Sequence, residues 1–358
     1  MAVKQYPFYL KSTVVLFGLM LLAVALFFLQ DIMVPLTFAM VFAILLNPVY
    51  NWLRNHKVPN ILSIILTLLL ATIVFGSILF FLSTQMAKFS EAVPMLKEKF
   101  GTLSTEFGKW AEDTFGITIQ KQVELVNEAM NNSKAYVGST VSTILGTLGT
   151  LFLLPVYIFL FLFYKPLILN FLYEVFAEES SRKISDILNE TKSAIQSYMV
   201  GLLLEFMIVA TLNSTALSIL GVKYAILLGV IGALLNLIPY IGGVIAIALP
   251  VLIATVTEDG YQTQLGIIGA YAFIQFLDNN VIVPRIVSSK VKINALISII
   301  AVLLGGALWG VAGMFLSIPI IAIVKIIFDR IPDLQPWGKL LGDEVPTARK
   351  RRFFGLRG

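Results

Sequence analysis

Long apolar runs alternate with short polar segments along this chain, and the lengths of the runs predict helices that cross a membrane. Each run holds about 20 residues, and a helix of that length rises through the roughly 30 Å of a bilayer's hydrocarbon core. Five unbroken runs have this length. They cover residues 12–30, 32–50, 61–83, 144–164 and 198–220.

The composition indicates the same class of protein. Of the 358 residues, 58% are hydrophobic and 13% are charged, whereas soluble domains carry about 25% charged residues. The mean hydropathy is +0.88. The chain has no cysteine, which excludes disulfides and thiolate metal sites. These values predict an all-α, polytopic membrane helix bundle.

Basic residues flank the apolar runs, so the net charge of +5 predicts contact with membrane lipid and no nucleic-acid partner. Lys4 and Lys11 precede the first run, which lacks a small-residue cleavage site and is predicted to be an anchor. Arg54 and Lys57 lie in the loop after the second run, and residues 349–352 of the tail are all basic. Because Lys and Arg concentrate in cytoplasmic loops, both termini are predicted on the cytoplasmic side of the cytoplasmic membrane.

The segment 85–143, between the third and fourth runs, is predicted to be an extracytoplasmic helical hairpin. Its apolar residues recur at steps of three and four, as on the packed face of a helix. In the first arm these are Val93, Leu96, Phe100, Leu103, Phe107 and Trp110. Two roles fit the pattern: a self-packed cap, or a surface that contacts neighbouring subunits or covers the pathway. The amphipathic segment 165–197 is predicted at the cytoplasmic interface.

A sixth unbroken span runs from about Gln262 and ends at Asn279, Asn280 and Pro284. Two more apolar segments, 224–256 and 293–328, are interrupted by Pro and Gly and bring the predicted total to about eight transmembrane helices. The first is broken at residues 239–243 and the second between Gly305 and Gly313. Irregular backbone persists at membrane depth only where protein buries it or water wets it. Paired interrupted segments are therefore a good sequence pointer to a transporter site, with close helix packing through small residues as the alternative.

Only two acids, Glu205 and Asp278, fall inside predicted apolar spans, where an unpaired charge costs about 2.5–3.5 kcal/mol. Either they bind a cation or proton, or they are structural. The structural alternatives are an interface-paired Glu205, and Asp278 as a helix-end cap or as the partner of Arg285. The candidate residues of a substrate or ion pathway are Glu205, Asn213, Asn236, Pro239, Tyr240, Gly242, Gly243, Asp278, Asn279, Asn280 and Arg285.

Other chemistry lacks its residues. An aspartyl intramembrane protease needs two aspartates on facing spans, and only one aspartate, Asp278, lies in a predicted span. His56 is the sole histidine, so there is no ligand set for a metal hydrolase, and no GxxxxGK[ST] loop binds ATP. The sequence predicts no enzyme activity, catalytic residue, metal or cofactor.

Several motifs resemble those of the autoinducer-2 exporter family of prokaryotic membrane proteins. The most specific are LLNLIPYIGG at 234–243, LDNNVIVPRIVSSKV at 277–291 and LLGGALWGVAGMFLSIPIIAIVK at 303–325. LLNPVYNWL at 45–53 and SYMVG at 197–201 extend the resemblance toward the start of the chain. It implies about eight membrane helices, an outer insertion after the third, and export of a small molecule or an ion.

Together these features predict a secondary transporter that exports a small polar solute, such as an autoinducer-2-like signal molecule, or a monovalent cation. The alternative is a sodium/proton antiporter on the same scaffold, with Glu205 or Asp278 as the titrating carboxylate. A homo-oligomer is predicted. The predicted regions are transmembrane helices in 1–84, the hairpin insertion in 85–143, a transport core in 144–335 and a basic cytoplasmic tail in 336–358.

Overall fold

The computed structural model describes residues 7–115, 153–175, 181–238, 242–258, 260–287 and 292–343. This part of the chain is helical and contains no β-strand. A π-helical segment, Asp278–Val287, continues the ninth α-helix, and a 3-10 turn, Pro332–Leu334, precedes the last. The α-helices are α1 (Phe8–Phe28), α2 (Gln30–Asn55), α3 (Asn60–Phe115), α4 (Leu153–Phe163), α5 (Lys165–Val175), α6 (Ser181–Ile219), α7 (Ala225–Asn236), α8 (Gly242–Thr257), α9 (Gln262–Leu277), α10 (Ala295–Arg330) and α11 (Gln335–Leu341).

Six of the described helices are long and apolar enough to cross a membrane, namely α1, α2, α3, α6, α9 with its π-helical continuation, and α10. A seventh span exists if α4 and α5, which are bent by 59°, count as one. The predicted segment 224–256 is divided between the shorter apolar helices α7 and α8. The prediction of an all-helical polytopic membrane bundle is confirmed.

Two helices are longer than the predicted spans. α3 continues without a break to Phe115, so the first part of the predicted insertion extends a membrane helix. α6 joins residues 181–197 of the amphipathic segment to the predicted fifth span in one helix. The remainder of the insertion, 116–143, and the first part of the predicted fourth span, 144–152, lie outside the described residues.

α6 runs the length of the bundle and defines its two ends. At the upper end, just after α6 finishes, Phe89 of α3 meets Tyr224 edge to face, with the ring centroids 5.4 Å apart. The rest of α3 therefore extends beyond the upper end. At the lower end, Arg330 of α10 forms ion pairs with Asp186 and Glu190 in the first turns of α6.

A proline inside α2 is matched by a side chain from α6. Pro48 has no N–H group, so the carbonyl of Ile44 loses the helical hydrogen bond that residue 48 would otherwise donate. The Nε2 amide of Gln196 donates to that carbonyl instead, at 2.7 Å. A buried carbonyl without a partner costs about 1–3 kcal/mol, so this contact stabilises the packing of α2 against α6.

The first broken segment is a hairpin whose arms are α7 and α8. The chain reverses after α6 through Gly221 and Tyr224, whose φ angles are +74° and +61°. Beyond the break, Gly242 packs directly on the carbonyl of Leu235, where a Cβ would overlap the carbonyl oxygen. The far parts of both arms share a hydrophobic cluster with the upper parts of α6 and α9. Both arms therefore enter from the upper end.

The second broken segment is a hairpin within α10. Trp309 and Gly310 have non-helical backbone angles, and Gly310 has a φ of +59°. On either side of this turn, Gly305 and Gly313 pack backbone against backbone, and a Cβ on either glycine would overlap the carbonyl of the other. The predicted break between Gly305 and Gly313 is confirmed. The turn divides α10 into a first arm, 295–308, that is shorter than a full span, and a second arm, 311–330, of about the length of one.

Asn294 holds the base of this second hairpin at the lower end. Its Oδ1 accepts from the N–H of Ile297 at 2.9 Å, which caps α10. Its Nδ2 donates to the carbonyls of Leu340 and Gly342, at 2.7 and 3.0 Å. Its own N–H donates to the carbonyl of Leu341 at 3.1 Å. The end of α11 is thus tied to the start of α10, and this second hairpin enters from the lower end.

Candidate functional site

Two carboxylates and one amide meet where α6, α7 and α9 approach one another. Asn236 Nδ2 donates to Asp278 Oδ2 at 2.9 Å and lies 3.5 Å from Glu205 Oε1. Glu205 is 7% exposed and Asp278 is 2% exposed. These are the two acids that the sequence placed inside the membrane, and the structure brings them to a single amide group.

The first hairpin explains why Asn236 is available for this contact. Asn236 is the last residue of α7, next to the break at 239–241. Because α7 ends inside the bundle, its terminal polar residue faces neighbouring helices and not bulk water. Gly243, at the start of α8, provides the space that the Asn236 side chain occupies. A Cβ there would lie 3.2 Å from Asn236 Oδ1 and would overlap Gln275 Oε1.

A change in helix type places Asp278. The α-helix α9 ends at Leu277, and Asp278 begins the wider π-helical segment, which contains Pro284. Asp278 Oδ2 bonds to Asn236, while Oδ1 has no hydrogen-bond partner among the described residues. π-Helical turns are rare in proteins, and those that occur often lie at functional sites.

The alternative in which Asp278 pairs with Arg285 is wrong. Arg285 is exposed and forms no ion pair with any described residue. Seven residues are two turns of an α-helix, but a π-helical turn contains more residues. The π geometry therefore rotates Arg285 away from the face that carries Asp278. Asp278 is the C-cap residue of α9, as the other structural alternative expected, but the chain continues past it as a π-helix to Val287.

A cavity of about 760 Å³ opens beside the cluster. Glu205, Asn236 and Asp278 line it, together with side chains from the lower end that include Ser298 and Asp343. No Lys or Arg of the described residues lies in its wall. The cavity therefore presents carboxylates, amides and hydroxyls to a bound species, and its described residues offer no counter-charge for an anion.

The other predicted pathway residues differ in how they relate to the cavity. Gly243 and Asn279 line the cavity, whereas Gly242 supports the hairpin backbone. Asn280 is exposed and donates only to the carbonyl of Phe276, at 2.8 Å. Asn213 is 2% exposed but does not line the cavity. Pro239 and Tyr240 lie outside the described residues.

Sequence reasoning missed Tyr198, Tyr271 and Gln275, which also line the cavity. A signal for two of them existed. Tyr271, Gln275 and Asp278 are spaced by four and three residues, so they share one face of α9. A polar stripe on an apolar helix would have identified that face as the one turned toward the cavity.

The arrangement fits a proton or a monovalent cation better than a multivalent metal. No group of three or more His, Cys, Asp or Glu side chains that could hold a metal occurs among the described residues. Two carboxylates this close in a low-dielectric setting repel each other unless a positive charge lies between them. The Asn236 amide supplies only part of that compensation.

Comparison with known proteins identifies the family. A family profile described as AI-2E family transporter matches residues 15–333. "Putative transport protein YrrI" of Bacillus subtilis (strain 168) is 26% identical over 345 residues, which cover 90% of this chain and 96% of that protein. "AI-2 transport protein TqsA" of Escherichia coli (strain K12) is 21% identical over 337 residues, covering 93% of this chain and 96% of TqsA. The chain therefore belongs to the AI-2E family of membrane transporters and is not an enzyme.

Proposed function

We propose that this protein is a secondary active exporter of a small polar solute, and that Glu205, Asn236 and Asp278 bind the coupling cation or proton. The carrying observation is that the two membrane acids share one amide group at the wall of a cavity. Burial of two carboxylates at membrane depth is costly. A site that binds and releases a positive charge gives that cost a function, because loading the site removes the repulsion between the acids.

The cavity supports a neutral or cationic solute. Its volume of about 760 Å³ is within the roughly 300–1,000 Å³ of small-molecule sites. Its wall has no basic side chain from the described residues, so a bound anion would lack a basic partner among them. TqsA is named an AI-2 transport protein, and its similarity to this chain supports a signal molecule as the substrate here as well.

A sodium/proton antiporter is the second candidate. The cluster itself favours it, since carboxylate oxygens are hard ligands suited to a cation, and two carboxylates converge on the Asn236 amide nitrogen. In this mechanism the same acids would bind the cation and the proton in turn, and no organic solute would be needed.

One reconstitution experiment separates the two. Purified protein is placed in liposomes that contain a pH-sensitive dye, and cations and then candidate solutes are added in sequence. Solute-dependent proton or sodium flux supports the exporter. Proton flux that sodium alone elicits supports the antiporter, and absence of flux with every cation and solute, in folded protein, contradicts both.

We also propose that the lower end of the bundle is cytoplasmic, and that the protein assembles as a homo-oligomer in the cytoplasmic membrane. The support for the orientation is the basic loop at Arg54 and Lys57, which follows the lower end of α2. The part of α3 beyond Phe89 extends past the opposite end.

Cysteine labelling tests this orientation, and the chain has no cysteine of its own. Lys109 is exposed near the end of α3, so Lys109→Cys is expected to react with a membrane-impermeant maleimide in intact cells. His56→Cys, after α2, is the matched control and should react only after permeabilisation. The reverse pattern would show that the upper end is cytoplasmic.

A further inference from the structure

Three buried oxygen atoms in the upper half of the bundle are not explained by the cluster. They are Asn213 Oδ1, Tyr271 Oη and Gln264 Oε1, and none has a hydrogen-bond partner among the described residues. The three residues are 2%, 6% and 7% exposed. An unpartnered buried polar atom costs about 1–3 kcal/mol, so three along one route indicate water or an ion that the polar atoms contact.

Asn213 and Tyr271 meet at a glycine. A Cβ built on Gly232 of α7 would lie 3.2 Å from the hydroxyl oxygen of Tyr271 and 3.3 Å from Nδ2 of Asn213. Both side chains therefore reach the same small volume between α6, α7 and α9. The missing side chain at residue 232 is what leaves this volume open to them.

The polar residues follow one another along the bundle axis. Asn213 is two turns above Glu205 on α6, and Tyr271 is two turns above Asp278 on α9, about 10–12 Å in each case. Gln264 is two further turns up, in the first turn of α9 at the upper end. Tyr271 also lines the lower cavity, so the row connects the upper end to the cluster.

The remainder of this interface is apolar and tightly packed. Leu217 of α6 and Ile267 of α9 are both 0% exposed and belong to the same hydrophobic cluster as Tyr271. The polar row is therefore a seam of polar atoms within an otherwise apolar core.

We propose that Gln264, Tyr271 and Asn213 line a water-filled route for a hydronium ion or a small monovalent cation between the upper end and the Glu205–Asp278 cluster. The unpartnered atoms are two amide oxygens and a hydroxyl, which accept hydrogen bonds from water and coordinate cations through oxygen. The solute and the cation then reach the centre from different places: the solute through the cavity, the cation along the seam. This inference rests on the proposed role of the cluster in coupling.

Silver ion reactivity tests the route without any need for transport. Single cysteines replace Gln264, Asn213 or Tyr271, with Ile267→Cys and Leu217→Cys as matched buried controls on the same two helices. Sealed vesicles in chloride-free buffer receive Ag⁺ on the side of the upper end, which the Lys109→Cys labelling identifies. The thiols that remain are then counted by maleimide labelling after denaturation.

The thiols on the route should react at least about tenfold faster than the controls, because a dry buried thiol reacts only during local opening of the protein. Adding Gly232→Ala to the Asn213→Cys protein should slow the reaction there and leave Gln264→Cys unchanged. Equal rates at all five sites, or reaction at Gln264→Cys alone, would overturn the route. Gel filtration confirms that each variant is folded before it is scored.

The silver experiment can be interpreted whether or not the cluster has the proposed coupling role. Rapid silver reaction together with normal transport in Glu205 and Asp278 variants would keep the route and reject the cluster as the coupling site. Slow silver reaction together with lost transport in those variants would keep the cluster and reject the route.

Discussion

Asp278→Asn is expected to yield a folded protein that has lost coupled transport. Asparagine keeps the shape of the side chain and can still bond to Asn236, so the packing of α7 against α9 should persist. The negative charge that we propose to hold the coupling cation or proton is removed. Hydrogen bonds to charged groups contribute about 1.5–3 kcal/mol, which corresponds to a loss of about 10- to 100-fold in apparent affinity for the coupling ion. The liposome flux assay measures this loss.

Two further variants control the result. Asn280→Ala changes an exposed neighbour on the same π-helical segment, and Arg285→Gln removes an exposed charge. Both should transport at the normal rate. If Asp278→Asn instead lowers protein yield and leaves the transport rate per folded molecule and its pH profile intact, Asp278 is a structural residue. Glu205 is then the remaining buried acid to test.

Two adjacent glycines should respond very differently to the same substitution. Gly242→Ala places a Cβ on the carbonyl of Leu235, and backbone cannot move aside as a side chain can. We expect overpacking to lower the free energy of unfolding by about 1–3 kcal/mol, seen as a lower melting temperature and yield. Gly243→Ala meets the end of Gln275, a flexible side chain, so the fold should hold. The displaced amides at the cluster should reduce transport.

Gly269→Ala serves as the control for both glycine variants, since a Cβ there meets nothing within 4 Å and the position lies in α9, the helix that leads to Asp278. It should match the parent protein in stability and transport. If Gly242→Ala and Gly243→Ala both behave in this way, the break between α7 and α8 provides only loose packing and has no function.

The membrane helices and the two breaks could be predicted because their causes are local. Bilayer thickness sets the length of an apolar run. Clustered Gly and Pro interrupt a helix, whereas a lone proline such as Pro48 is accommodated within one. The end of the third span was not visible in the same way. Residues 83–88 contain no Gly or Pro, and the chain passes from a uniformly apolar helix to an amphipathic one without leaving the helical conformation.

The members of the cluster were predictable individually, but their contacts were not. Glu205, Asn236 and Asp278 each stood out as a polar residue in an apolar setting. Their meeting depends on the direction in which α7 and α8 fold back, which is decided by packing between distant segments. The pairing of Asp278 with Arg285, one of the structural alternatives, rested on α-helical geometry, and a single π-helical segment was enough to make it wrong.

The hydrogen bond from Gln196 to the carbonyl of Ile44 has a consequence for the evolution of this family. Gln196 has a carbonyl to bind only because residue 48 is a proline. In a relative where that position regains an N–H group, the carbonyl would be satisfied within its own helix and an amide at position 196 would lose its partner. The two positions are far apart in the sequence, yet we expect their substitutions to occur together: a proline at the first should be accompanied by a hydrogen-bond donor at the second, and the loss of one should permit the loss of the other.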